Sequence, residues 1–155
     1  MSHCVRGETA TLSGDDQSGT IVGRVLVVDD SKALRDAVRR LLADLPDWEI
    51  CGEASNGREG VEKALELRPD VILMDVGMPE LDGLEATRRI RTQVDTEVLV
   101  FTQYDSRQAA EEAMAAGARG YLPKSRAADL IEALTAVVQH RDYFGQQRAA
   151  NGSSC

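Results

Sequence analysis

The fold class that this sequence predicts is a three-layer α/β sandwich: a five-stranded parallel sheet with helices on both faces. Three observations predict it. The apolar runs VLVV, DVILM and EVLVF lack the polar alternation of half-exposed strands, and each stops on a polar side chain. Between them lie stretches whose apolar residues recur at helical spacing, and strands alternating with amphipathic helices require right-handed crossovers and parallel pairing. Aromatic residues are only 4% of the chain, so the core rests on Val, Leu and Ala, as suits helices laid on a sheet.

The elements follow in order. Residues 1–22, rich in Ser, Thr, Gly and Asp, read as a disordered N-terminal extension, and the folded unit is expected over 23–140. After the first strand, Leu34, Val38, Leu41, Leu42 and Leu45 mark a helix that Pro46 stops. Glu49 to Ala54 reads as the second strand. A second helix carries Val61, Ala64 and Leu65 and closes at Pro69. DVILMD, residues 70–75, forms the third strand. The Gly and Pro loop VGMPELDG leads into a helix from Leu84 to Thr92. TEVLVFT ends the fourth strand at Thr102, and an Ala-rich helix covers Ser106 to Ala116. ARGYL supplies the fifth strand. The last helix presents Leu130, Ile131, Leu134, Val137 and Val138 on one face, and residues 141–155 read as a short polar tail.

Composition removes several function classes. A formal charge of −8 argues against a nucleic-acid backbone as partner, and the scarcity of aromatics argues against a base-stacking platform. Cys4, Cys51 and Cys155 lie far apart and, with His3 and His140, make no zinc spacing. Free thiols in a reducing compartment are the simplest reading. With no signal-peptide pattern and no apolar run of roughly 18 residues, the expected location is cytoplasmic, without a membrane partner.

In an open parallel sheet, ligands bind at the carboxyl ends of the strands. Those ends hold a consistent set here. The first strand delivers Asp29 and Asp30, the third Asp75, the fourth Thr102, and the loop after the fifth Lys124. Three carboxylates, a hydroxyl and an ammonium at one rim suit a divalent cation and a transferable phosphoryl group, and oxygen ligands favour Mg²⁺. Singly, the residues have plainer readings. Asp29, Asp30 and Ser31 fit a helix cap equally well. Thr102 is an ordinary strand-end hydroxyl, Lys124 a solvated cation and Tyr121 a half-buried aromatic; only the set in register favours chemistry. Lys63, Arg88, Arg89 and Arg91 read as solvated helix faces, and Trp48 as a core or edge packer.

Four motifs, VLVVDDS, DVILMDVGMPELDG, VLVFTQYD and GARGYLPKS, span all five strand ends, and through them the chain resembles the receiver domains of two-component response regulators over residues 24–140. The resemblance implies the flavodoxin-like receiver fold. It also implies that Asp75 is the phosphoacceptor, assisted by Thr102 and Lys124, and that Asp29, Asp30, Asp75 and the Gly77 carbonyl hold Mg²⁺. Thr102 and Tyr121 would form the switch, the ring turning inward as Thr102 moves toward the phosphoryl group. The implied function is that of a phosphoacceptor and not a separate enzyme. Its partners would be a histidine kinase or histidine phosphotransfer protein and a downstream protein. The fourth helix, fifth strand and fifth helix would be the contact face, also available to a second copy.

Three departures stand out. Gln103 follows Thr102 where a small residue is usual, Ser125 follows Lys124 where many members have Pro, and Gly77 offers only backbone two residues past the acceptor. Many close relatives of GYLPKS type continue into a helix-turn-helix domain, whereas HRDYFGQQRAANGSSC is too short to fold as one, so a stand-alone receiver acting by protein contact is expected. The alternatives are a DNA-binding regulator that has lost that domain, an Asp-phosphate phosphohydrolase, and an unphosphorylated interaction module. The phosphohydrolase reading is weakened by Gly77, where such enzymes carry a second Asp.

Overall fold

The computed structural model describes residues 23–78 and 81–144, so the extension expected over 1–22 lies outside the described residues. The uniformly apolar runs become buried strands. β1 is Gly23–Val28, β2 Trp48–Ala54, β3 Val71–Met74, β4 Glu97–Thr102 and β5 Gly120–Pro123, all parallel. Between them come α1 (Lys32–Ala43), α2 (Gly57–Leu67), α3 (Gly83–Gln93) and α4 (Arg107–Ala116). A 3-10 turn, Lys124–Asp129, follows β5 and runs into α5 (Leu130–Val138).

The strand-to-helix turns are closed by side-chain caps. Ser31 accepts from the Leu34 amide, Asn56 from Glu59, Asp82 from Glu85 and Ser106 from Ala109, each satisfying an amide that the helix itself leaves unpaired. Alternate residues of each strand then feed two cores. Val25, Val27, Leu73 and Leu99 face α1 and α5 through Val38, Leu42, Leu130 and Leu134. Leu26, Val28, Ile72 and Val100 face α2, α3 and α4 through Ala64, Ile90 and Ala110. Each fully buried Leu or Ile contributes about 2 kcal/mol by leaving water. Trp48 closes one end of the first core, against Gly23. Leu41, by contrast, is exposed, because Val38 and Leu42 already cover the inner face of α1.

The sheet holds one strand more than the five expected. β6, Tyr143–Phe144, pairs parallel to β5 and completes the order β2-β1-β3-β4-β5-β6. These two residues fall in the stretch read as a polar tail. Both are buried, Tyr143 in the α1 and α5 core and Phe144 in the other, and that burial is what draws a short segment onto the β5 edge. β5, expected to share a contact face with the fourth and fifth helices, therefore has its outer edge partly covered by the chain itself. The rest of the expected tail, 145–155, lies outside the described residues.

The order reverses beside β1, with β2 on one side and β3 on the other, so the loops after β1 and β3 leave in opposite directions and open a crevice between them. No described helix is long and apolar enough to cross a membrane.

Candidate functional site

Ladder bonds carry the two acidic strand ends to one level. The Asp29 amide donates to the Ala54 carbonyl at 3.0 Å, and the Asp75 amide to the Val28 carbonyl at 2.9 Å. Beyond Asp75 the chain turns back tightly. The Gly83 amide donates to the Val76 carbonyl at 2.9 Å, and a Cβ on Gly83 would lie 1.9 Å from the Asp75 carbonyl oxygen, so no larger residue fits there.

Asp29 and Asp75 are buried and Asp30 is exposed, and one carboxylate oxygen from each lies within 4.8 Å of the others. Lys124, at the start of the 3-10 turn, reaches into this group. Its ammonium donates to Asp29 Oδ2 at 2.8 Å and stands 3.4 Å from Asp75 Oδ1. Asp29 Oδ1 accepts from the Ser31 amide at 2.9 Å, which fixes the carboxylate from its other side. One short stretch thus supplies both a cap and a member of the carboxylate cluster: Ser31 caps α1 while Asp29 faces Lys124.

The electrostatics are unbalanced. Burial, and after it the charge of Asp29, push the Asp75 carboxyl above its ordinary value, against the pull of Lys124. Burial also disfavours the Lys124 ammonium, but its bond to Asp29 and the charges of both carboxylates outweigh that and hold its pKa above the usual lysine value. Three carboxylates facing one ammonium leave excess negative charge, and convergent oxygen donors of this kind fit a hard divalent cation.

Thr102 is buried at the end of β4, and its Oγ1 accepts from the Tyr104 amide at 3.3 Å, leaving its hydrogen available to donate elsewhere. Tyr121 is the second residue of β5 and is fully buried. Its hydroxyl donates to the Tyr104 carbonyl and accepts from the Ser106 amide at 3.1 Å, so the ring already lies inward, tied to the loop after Thr102. Gly77 is exposed beside this loop. A Cβ there would lie 3.7 Å from the Tyr104 hydroxyl, so the half-exposed Tyr104 ring occupies the space that the glycine leaves. Gln103 is exposed.

Some supporting groups carried no sequence signal. Arg35 donates to the Asp29 carbonyl at 2.6 Å and pairs with Glu53 at 3.0 Å, bracing the rim from α1. Arg91, expected on a solvated face, instead turns inward to Glu97 at 3.1 Å. Arg88 and Arg89 pair with Glu85 on the surface, as expected.

Residues 25–135 match the response regulator receiver domain family. The chain belongs to that family. It is 40% identical over 128 residues to the response regulator GacA of Pseudomonas viridiflava, covering 81% of this chain and 60% of that one. It is 47% identical over 109 residues to the protein-glutamate methylesterase/protein-glutamine glutaminase of Alkalilimnicola ehrlichii, covering 69% of this chain and 28% of that one. The chain thus spans less than two thirds of either relative. Among solved structures, a LuxR-family two-component response regulator from Aurantimonas sp. superposes with a TM-score of 0.77 at 34% identity, covering 83% of this chain and 93% of that one. The response regulator domain of Thermotoga maritima CheB gives 0.71 at 33% identity, covering 77% and 97%. The flavodoxin-like receiver fold and the two-component assignment follow.

Proposed function

We propose that this receiver accepts a phosphoryl group on Asp75 from the phosphohistidine of a histidine kinase or phosphotransfer protein. The observation that carries the reading is Lys124 held between Asp29 and Asp75 in a carboxylate cluster with negative charge to spare. A carboxylate oxygen of Asp75 attacks phosphorus and the P–N bond breaks; the imidazole nitrogen keeps the bonding pair and takes up a proton. Asp29, Asp30 and Asp75, with the Gly77 carbonyl, would hold Mg²⁺, which when bound neutralises charge on the carboxylates and the phosphoryl oxygens. Lys124 pairs with one phosphoryl oxygen, and the Thr102 hydroxyl donates to another. Drawing Thr102 toward phosphorus pulls on the loop whose Tyr104 carbonyl holds the Tyr121 hydroxyl, so the ring and the α4–β5–α5 surface respond together. The state passes on by protein contact in the cytoplasm, to a downstream protein or a second copy. The mass of the native protein tests the stand-alone reading.

Incubation with a small acyl phosphate tests the acceptor directly. One phosphoryl group per chain is expected, dependent on Mg²⁺ and lost in Asp75→Asn. Equal labelling of the Asn variant would place the acceptor elsewhere.

A further inference from the structure

Tyr121 and Phe144 are register partners on adjacent parallel strands and belong to the same buried cluster, so their rings lie side by side on the α4 face of the sheet. Phe144 is thus one wall of the slot that holds the Tyr121 ring. The seat for β6 is built into the fold. A Cβ on Gly120 would lie 2.7 Å from the Tyr143 carbonyl oxygen, so the approach of β6 depends on that glycine. The Tyr143 amide donates to the Arg119 carbonyl at 3.1 Å. Two side-chain ties secure the segment just before the strand: Arg119 reaches Asp142 at 3.1 Å, and His140, in a left-handed turn with φ 64°, reaches Glu97 at 2.7 Å.

We propose that β6 is a regulatory strand coupled to the switch, in which docking of Phe144 favours the inward Tyr121 ring and phosphorylation of Asp75 in turn tightens the docking of β6. The proposal rests on the reading of Asp75 as phosphoacceptor. With β6 lifted, Tyr121 loses the apolar wall on its β6 side, and its buried pose becomes less favourable. With the ring displaced, Phe144 loses the neighbour against which it is buried. Two events that each favour the same ring position must favour one another by the same factor. The C-terminal strand therefore senses the acceptor site from the far edge of β5, and a partner that took that edge would compete with β6.

The test uses the full chain with beryllium fluoride and Mg²⁺ as the phosphoryl mimic. In the original protein, exchange of the Tyr143 amide should slow severalfold on adding the mimic. Phe144→Ala should raise the half-saturating beryllium fluoride concentration severalfold, and the surface variant Asp142→Ala should raise it about twofold. Asp142→Ala alone decides the matter if Phe144→Ala does not fold. Labelling of Asp75 with no change in Tyr143 exchange would overturn the coupling while leaving the acceptor reading intact. Unaltered mimic affinity in a folded Phe144→Ala, or in Asp142→Ala if only that variant folds, would do the same. Absence of any labelling at Asp75 would overturn both.

Discussion

The two ends of the central sheet both hold buried carboxylates, and they solve the problem of burying them in opposite ways. At the carboxyl end, the buried Asp29 and Asp75 share the ammonium of Lys124, with the exposed carboxylate of Asp30 beside them. At the amino end, Glu97 opens β4 and is met by Arg91 at 3.1 Å, Arg119 at 3.3 Å and His140 at 2.7 Å. Burial would push Glu97 up, yet the bonds from His140 and Arg119 and the charge of Arg91 bring it below the ordinary glutamate value. Asp75 moves the other way. A carboxylate whose partners all come from the chain is a tie; carboxylates left in excess need something from outside. The first arrangement stores stability, and the second gives some up to be ready for a ligand.

Glu97→Ala should therefore have the largest effect on the fold. It takes from Arg91 and Arg119, each only partly exposed to solvent, their shared buried carboxylate, leaving Arg91 the Thr96 carbonyl and Arg119 the exposed Asp142, and it removes the tie to His140. A loss of about 2–3 kcal/mol is expected, less than for a fully buried pair because water reaches these partners. Urea denaturation measures it. The pH dependence has a definite sign. Because the folded value is lowered, the contribution of Glu97 is complete above the ordinary glutamate range and disappears as pH falls through the folded value. Glu97→Gln should flatten the acid side of the stability curve. An unchanged acid limb would deny Glu97 this role and erase the contrast between the two ends.

At the other end, Asp30→Ala should weaken Mg²⁺ binding roughly tenfold, by removing a ligand, while leaving the metal-free protein at least as stable, since a repelling charge has gone. A Mg²⁺ titration beside a thermal melt separates the two. Unaltered affinity with a lowered melting temperature would mean that Asp30 supports the turn into α1, and the rim would then resemble the Glu97 end.

How much of this was legible in the sequence follows from the range of the interactions. Five strands and five helices could be read because apolar periodicity and helix-stopping prolines are local, and the meeting of Asp29, Asp30, Asp75 and Lys124 could be read because every strand end in a parallel sheet points to the same rim. β6 was missed. Two aromatic residues in a polar stretch carry no periodicity, and only the seat beside Gly120 makes them a strand. Arg91 was missed for the same reason: its partner Glu97 sits past the end of α3, where helix-face reasoning does not reach.

The smallest expected effect concerns how long a phosphoryl group stays on Asp75, and it sharpens the comparison because it asks what the chain leaves undone at the rim. Hydrolysis needs a water aligned behind phosphorus. Gly77 has no side chain to hold one, and Tyr104 fills the neighbouring space with its ring and a hydroxyl 3.7 Å from where a Cβ on Gly77 would be. Slow hydrolysis is expected. Gly77→Asn adds an amide that can orient a water, and Gly77 shows no left-handed backbone angle to forbid the side chain. The new Cβ meets Tyr104 only at ordinary contact distance, so the amide can be accommodated if the ring shifts by a rotamer step. Decay of labelled protein after donor removal should quicken severalfold in Gly77→Asn, and further in the double variant with Tyr104→Ala if the ring shields the phosphoryl group. If the double variant instead decays more slowly than Gly77→Asn alone, the Tyr104 hydroxyl is itself positioning the water, and the rim already contains the hydrolytic group that Gly77 lacks.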